Sequence, residues 1–390
     1  MFYRKKTLVT FLITGCISCF SFLSSLAQNT DSTLISVLLN DIASSQVRVT
    51  GEFYPGQFPS YRECAGAPHN LKPDNNVFFT AISAFTLQRL LQRLNEPNRR
   101  IARQIIENAR KSFPLYQSKN GLPFYNFWPT GKGIMPNSLF IKYFGKLLGI
   151  SEDADDTVMV LMAEDATDSV SKLLKARMIE FSNMQQKKNR SSYRKYRRIP
   201  AYSTYLSSGM LPDFDLGVHC NILYFMLASK LPLVKQDSAT IQLLANLIKD
   251  RGYIKDPLFH SPYYVRTPVL LYHISRLMGR FTIPELETLR PQLITDMQQL
   301  LNKTTAFMDR ILLSTSLTWL GIQTPLLKTC NIDEFEMAGT NKFVFFQARA
   351  AFSYPAALKK IFLRWSYMHY DFYCPAYNKI LWLEYLLERK

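Results

Sequence analysis

Many signatures of well-known chemistry are missing from this 390-residue chain. It contains no glycine-rich phosphate loop, no G-x-S-x-G nucleophile elbow and no H-E-x-x-H zinc motif. A D-x-C pair followed by a zinc-ligating histidine is also missing, since the chain offers only His219-Cys220 and the distant His273. No metal site is therefore predicted. Alternation of apolar and polar residues, which marks half-buried strands, is nearly absent and favours an all-α fold.

Acidic residues are fewer than basic ones, and the net charge is +17. Such a charge attracts anionic surfaces or ligands but does not determine a fold. Zinc-finger spacing, an RNA-recognition signature and a basic zipper are all lacking, so nucleic acid is not predicted as a partner.

The N-terminus has the features of an export signal. Residues 1–6 are basic, residues 7–27 carry no charge, and the small-x-small pattern that ends at Ala27 suits cleavage before Gln28. Two alternatives remain: a lipobox that ends at Cys16, and an uncleaved anchor, since 21 uncharged residues could just span a bilayer. All three place the body of the protein outside the cytoplasm, either periplasmic or membrane-associated and facing the periplasm.

Four cysteines follow the export signal, at positions far apart in the chain and without C-x-x-C spacing: Cys64, Cys220, Cys330 and Cys374. An exported protein could pair them in any of three ways. So sparse a set favours buried free thiols over disulfides.

The rest of the chain divides into an irregular segment over residues 28–75, rich in turn formers, and a helical domain over 76–390. Apolar helices recur at similar intervals, each followed by a more polar helix, which indicates a degenerate repeat of helical hairpins. Their predicted starts lie near Asn76, Asp156, His219, Thr267, Arg310 and Lys342.

An apolar helix paired with an amphipathic one is what two concentric rings require. The predicted fold is therefore an all-α, single-domain α/α toroid, with an open solenoid as the competitor. In a toroid the loops before the inner helices line one cavity. The predicted pocket residues are Tyr125, Asn126, Trp128, Thr157, Asp213, Asp215, His219, Asn221, His260, Tyr263, Tyr264 and Arg266.

Acidic residues crowd residues 152–156, at the start of one apolar helix. An aspartate can cap a helix, and acids in its first turn interact well with the helix dipole. Four acids exceed what capping can use, and their mutual repulsion raises the pKa of at least one. Such a group can donate a proton near neutral pH.

The stretch Asp153-Ala154-Asp155-Asp156-Thr157 resembles the D-x-D-D-T motif of class II terpene cyclases, a family of α/α toroids. The resemblance implies that Asp155 protonates a hydrophobic, isoprenoid-like substrate, while Asp153 and Asp156 tune or position it. It implies no cofactor, and the D-D-x-x-D motif of the magnesium-dependent class is absent.

Two other classes remain open. A toroidal glycoside hydrolase or polysaccharide lyase would act on a glycan with Asp153 or Asp155 facing Asp213 or Asp215 across the barrel. A non-catalytic toroid would bind a lipid or a partner protein.

The segment 185–198 holds seven basic residues and no acid. A solvated loop accounts for such a run, and so does adhesion to an anionic membrane surface.

Overall fold

The computed structural model describes residues 32–132, 152–327, 331–349 and 355–389. The predicted export signal and Cys330 lie outside these ranges. The helices begin with α1 (32–45), α2 (Phe78–Leu90), α3 (Glu96–Arg110), α4 (Ala154–Glu164), α5 (Asp168–Glu180), α6 (Leu216–Ala228) and α7 (Lys235–Lys249). They continue with α8 (Gly252–Lys255), α9 (Pro257–His260), α10 (Thr267–Arg280), α11 (Pro284–Glu287), α12 (Arg290–Lys303), α13 (Phe307–Trp319), α14 (Ile332–Met337), α15 (Ala356–Phe362) and α16 (Pro375–Glu388). The strands are β1 (Tyr61–Cys64), β2 (Ala67–Pro73), β3 (Val344–Arg349) and β4 (His369–Tyr373). Short 3-10 turns occupy Leu91–Arg93, Phe113–Tyr116, Thr340–Lys342 and Ser366–Met368.

Six apolar helices pack in a closed cycle of neighbours. In order these are α2, α4, α6, α10, α13 and α16, and α16 returns to α2. Nearly every residue of α4, α6 and α16 is buried, as expected for helices that are apolar on all sides. The amphipathic helix α3 packs on α2, and α7 packs on α6, each keeping a solvent-exposed face. The core of the protein therefore lies between the six helices.

The four strands form one antiparallel sheet in the order β2-β1-β4-β3. Tyr61 of β1 pairs with Tyr373 of β4, and Phe346 of β3 pairs with Phe372 of β4. The sheet thus joins two segments that lie about 300 positions apart in the chain. On one face, the ring of Phe346 lies 5.0 Å from that of Phe78 at the start of α2. The sheet consequently packs against the N-terminal end of one of the six helices.

The prediction of an all-α fold is wrong, because the sheet makes the protein mixed α/β, and a toroid of two concentric rings is not shown. The predicted helix near Lys342 is instead strand β3, whose run Val-Phe-Phe consists of strong strand formers. The segment 28–75 also differs from the expected irregular chain, since it contains α1, β1 and β2. Strands of four to seven residues, with register shifts in two of the three pairings, show no clear alternation in the sequence.

A buried ion pair links the sheet to the start of the helical cycle. The Asp74 carboxylate lies 2.5 Å from Arg62 of β1 and accepts hydrogen bonds from Trp128 Nε1 (3.1 Å) and Asn76 Nδ2 (3.0 Å). Arg62 and Asp74 are both almost fully buried. Removing the carboxylate would leave the guanidinium charge buried without compensation, which is more costly than losing an exposed pair.

Asp74→Ala is therefore expected to lower the free energy of unfolding by about 3–5 kcal/mol, measured by urea denaturation. Glu180→Ala is the matched control, because Glu180 pairs with Arg177 on the surface of α5. It is expected to cost at most about 1 kcal/mol. Equal costs for the two variants would contradict a structural role for the buried pair.

Candidate functional site

The acidic residues at the start of α4 divide into a cap and two buried acids. Asp153 is the N-cap residue, and its carboxylate accepts a hydrogen bond from the backbone N–H of Asp155 at 2.7 Å. Asp155 and Asp156 are 4% and 2% exposed, so neither faces solvent in the manner of an ordinary first-turn acid. Helix capping therefore explains Asp153 but leaves the burial of the next two carboxyls unexplained.

Two neutral donors hold the Asp155 carboxyl. Asn221 Nδ2 on α6 donates to Oδ1 at 2.7 Å, and the Tyr264 hydroxyl donates to Oδ2. Tyr264 lies in the loop before α10. The carboxyl therefore joins three elements of the helical cycle, and each of its oxygens keeps a lone pair that can carry a proton.

Asn221 continues the network deeper into the protein. Its Oδ1 accepts a hydrogen bond from Arg276 Nη2 and lies 3.0 Å from His273 Nδ1, both on α10. The Arg276 guanidinium lies 5.4 Å from the ring centroid of Phe85 and 5.5 Å from that of Tyr272. Aromatic faces stabilise a buried cation, which fits a guanidinium that is 2% exposed.

Aromatic rings surround Tyr264, one of the two donors to Asp155. The Tyr264 ring lies 4.4 Å from His273, 5.7 Å from Phe346, 5.9 Å from Phe345 and 6.0 Å from Phe78, measured between centroids. Strand β3 supplies both Phe345 and Phe346. The sheet thus contributes side chains to the same site as the helices.

Burial raises the pKa of all three acids. The pKa of Asp155 is raised to about 6, although the hydrogen bonds from Tyr264 and Asn221 and the charge of Arg276 oppose the shift. The pKa of Asp153 is raised to about 8 by burial and by the charge of Asp155. Burial, together with the charges of Asp153 and Asp155, raises the pKa of Asp156 well above its usual range. The cluster therefore holds protons near neutral pH.

Asp215, the N-cap of α6, is the fourth carboxyl of this region. It accepts hydrogen bonds from Val218 N (3.1 Å), Ser261 Oγ (2.6 Å) and Tyr263 N (3.0 Å). Burial raises its pKa to about 7, and the charge of Asp155 adds to the shift. The loop before α10 is therefore tied to α6 at two residues, and this places Tyr264 beside Asp155.

The structure brings together five of the predicted site residues besides Asp153 and Thr157: Asp155, Asp156, Asp215, Asn221 and Tyr264. Thr157 Oγ1 accepts a hydrogen bond from Tyr125 N at 3.0 Å and pins that loop to α4. Tyr263 bonds through its hydroxyl to Tyr205.

The other predicted pocket residues have structural partners of their own. Trp128 binds Asp74, the Tyr125 hydroxyl lies 3.2 Å from Glu164, and Asn126 Nδ2 donates to Thr130.

The remaining four predicted pocket residues contact other parts of the protein. His219 bonds to the backbone oxygens of Asp215 and Tyr202. The ring of His260 lies 5.1 Å from that of Tyr193, and burial lowers the pKa of His260 to about 4. Arg266 pairs with Asp309 at 2.6 Å. Asp213 accepts a hydrogen bond from Ser191 and lies 3.5 Å from Lys359 Nζ.

The pocket prediction missed His273, Arg276, Phe78, Phe345 and Phe346. The first two carry a recognisable signal, because a histidine and an arginine three positions apart interrupt the otherwise apolar stretch VLLYHISRLM. Polar side chains that share one face of a buried helix must find buried partners. The phenylalanines of β3 carry no such signal, since their position depends on pairing with β4.

A small surface depression, with a cavity volume of about 10 Å³, is lined by Tyr205, Phe181, Lys187 and Met210 among others. Its lining does not include Asp155. Within the described residues, no group of three or more histidine, cysteine or carboxylate side chains is arranged to hold a metal ion. The thiols of Cys64, Cys220 and Cys374 are free.

No protein-family model and no curated protein sequence matches this chain. Among the described residues, no helix combines the length and apolar character that a membrane span needs.

The acidic cluster predicts how stability changes with pH. A carboxyl whose pKa is higher in the folded chain stabilises the fold below the unfolded value of about 4 and loses that contribution as the pH rises through the folded value. For Asp153 this window runs from about pH 4 to about pH 8.

Asp153→Asn keeps an oxygen that can cap α4 but removes the charge. Relative to wild type, its free energy of unfolding is expected to increase by roughly 1 to 3 kcal/mol between about pH 5 and pH 8, the equivalent of one to two pKa units. Urea denaturation at both pH values measures the change. Asp168→Asn, an exposed first-turn acid of α5, is the control and should differ from wild type equally at both. A pH-independent difference for Asp153→Asn would refute the raised pKa.

Proposed function

We propose that Asp155 is a general acid that protonates a hydrophobic, isoprenoid-like alkene and so initiates its cyclisation. The observation that carries this proposal is the buried Asp155 carboxyl, with a pKa of about 6, held by two neutral donors of which one, Tyr264, lies among aromatic rings. A general acid is most effective when its pKa lies near the working pH. Aromatic faces stabilise the cation that follows proton transfer.

The proposed step transfers the proton on the free lone pair of Asp155 to one alkene carbon. The π electrons form the new C–H bond, and the other carbon becomes cationic. Hydrogen bonds from Asn221 and Tyr264 then stabilise the carboxylate left behind, and the charge of Arg276 acts in the same direction. Loss of a proton from the cyclised cation ends the reaction without any net consumption of acid.

An apolar substrate suits this site better than a glycan does. The rings of Phe78, Phe345 and Phe346 offer no hydrogen-bond partners, whereas buried sugar hydroxyls would need them. The four raised carboxyl pKa values also reflect a dry environment, unlike the wet groove in which a glycan is bound.

Asp155 is 4% exposed, so a substrate reaches it only when side chains around the carboxyl move apart. Phe345 and Phe346 come from the edge strand β3 of the sheet, which pairs with β4 alone. Their displacement would disturb the pairing of β3 with β4 and the hydrogen bond from Gln347 N to Tyr263 O, but it would leave the hydrogen bonds within the six helices intact.

Asp155→Asn is expected to lower the rate of product formation by roughly two to four orders of magnitude, because an amide cannot serve as the acid. The assay incubates the protein with squalene and shorter isoprenoids and identifies cyclised products by mass spectrometry. Asp168→Asn, also a first-turn acid, should retain the wild-type rate. Circular dichroism establishes that both variants are folded. The absence of product from every isoprenoid with wild type, or full activity in Asp155→Asn, would overturn the proposal.

Tyr264→Phe tests the environment of the acid. Loss of the hydroxyl removes a hydrogen bond that stabilises the carboxylate, so the pKa of Asp155 rises. The pH–rate profile, which for wild type falls as the pH rises through about 6, should move to higher pH in the variant. Tyr253→Phe is the matched control, because Tyr253 donates to Asp296 outside the site at 2.6 Å. An unchanged profile in Tyr264→Phe would separate Asp155 from the rate-limiting protonation.

A further inference from the structure

Helix α15 exposes apolar side chains and buries a lysine, the reverse of an ordinary surface helix. Lys359 is fully buried and Leu363, just after the helix, is 2% exposed. On the opposite side, Leu358 is 45% exposed and Ile361 is 66% exposed, followed by Trp365 at 50%. Positions 358 and 361 fall on one face of the helix, and Trp365 follows in the extended backbone just after it. An apolar ridge of this kind on a surface indicates an interaction site.

The buried side of the helix prevents the ridge from turning inward. Lys359 Nζ lies 3.5 Å from Asp213 Oδ1 and 5.1 Å from the ring centroid of Phe259. Leu363 packs on Phe259 as well. Rotation of the helix would separate Lys359 from Asp213 and leave both charges unpaired, which is unfavourable in a buried environment. The orientation of the ridge toward solvent is therefore determined by the packing beneath it.

Basic side chains flank the ridge. Lys360 and Arg364 of the same segment are exposed, and residues 355–368 contain no acid. The basic segment 185–198 is adjacent: the Ala356 N–H donates to Arg190 O at 3.2 Å, and Lys360 Nζ lies 4.9 Å from the Tyr193 ring centroid. Exposed basic residues of that segment are Lys187, Lys188, Arg190, Arg194, Lys195 and Arg198.

We propose that this surface docks on an anionic lipid bilayer. Leu358, Ile361 and Trp365 enter the boundary between headgroups and acyl chains, and the surrounding basic residues bind lipid phosphates. Amphipathic surfaces with aromatic and aliphatic side chains beside lysine and arginine bind membranes in this way without crossing them. The excess of positive charge favours a bilayer over a second copy of this chain, since two such basic surfaces repel each other. This inference does not depend on the proposed function.

Binding is tested with vesicles of phosphatidylcholine alone and with vesicles that also contain phosphatidylglycerol. The full chain is used throughout, so that every variant carries the same N-terminal residues. We expect stronger binding to the anionic vesicles and a blue shift of tryptophan fluorescence on binding. Trp365→Phe should abolish most of the shift while retaining binding, because Trp365 is the one half-exposed tryptophan among the four, all of which lie in the described residues.

Two pairs of variants separate the apolar and the basic contributions. Ile361→Asn should weaken binding about tenfold or more, because it removes one aliphatic side chain that becomes buried in the bilayer. Val49→Asn is its control, since Val49 is also an exposed β-branched residue, at 80% exposure. Arg190→Glu combined with Arg194→Glu should weaken binding to anionic vesicles by at least about twentyfold, at about fivefold per lost charge. Arg100→Glu combined with Arg103→Glu, both exposed on α3, is the matched control and should have a much smaller effect.

Three kinds of outcome would contradict the proposal. Equal binding to neutral and anionic vesicles, or equal effects of the paired variants and their controls, would show that this surface does not dock on lipid. A fluorescence shift that persists in Trp365→Phe would place the contact elsewhere. Self-association that depends on Ile361, without lipid binding, would make the ridge an interface between copies of the chain.

Discussion

The interior of this protein is organised by the need to satisfy a buried carboxyl. An ionised carboxylate without partners is very costly to bury. The Asp155 carboxyl can therefore lie in the interior, at the first turn of α4, only if hydrogen-bond donors contact it there. Asn221 from α6 and Tyr264 from the loop before α10 supply them. Their own positions depend on further contacts, because Asn221 also binds Arg276, and the loop of Tyr264 is held by Asp215. One buried acid thus couples three consecutive members of the helical cycle.

The buried positive charge of Arg276 is stabilised by aromatic rings. Arg276 makes no ion pair within the described residues; it lies instead among the faces of Phe85, Tyr224 and Tyr272. Nearby, Glu384 of α16 bonds to Arg89 of α2 at 2.9 Å and to the Tyr272 hydroxyl at 2.7 Å. The charge of Arg276 acts on both Asp155 and Glu384. Polar groups therefore run through helices whose sequences look almost uniformly apolar, and their charges act between α4, α10, α16 and α2.

Helix capping and the proposed acid chemistry involve different side chains of the same cluster. The Asp153 carboxylate satisfies the backbone N–H of Asp155, as a capping aspartate should. The hydrogen bonds to the Asp155 carboxyl come from across the interior, from side chains of other elements. The two explanations that a crowded acidic motif permits are therefore compatible, because the Asp155 carboxyl takes no part in the cap.

The sequence by itself determined the local features. Five apolar helices begin within three residues of their predicted starts, since periodicity and caps are encoded by neighbouring residues: α2, α4, α6, α10 and α13. The acids of α4, Asp215, Asn221 and Tyr264 could also be named in advance, because they lie in the loops before apolar helices or near the starts of those helices. Only the tertiary structure decided that β1 pairs with β4, about 300 residues away, and that β3 pairs with the other edge of β4. It alone decided that Arg276 reaches Asn221, and that burial raises the pKa of Asp155, because the surroundings of a charge are set by the whole fold.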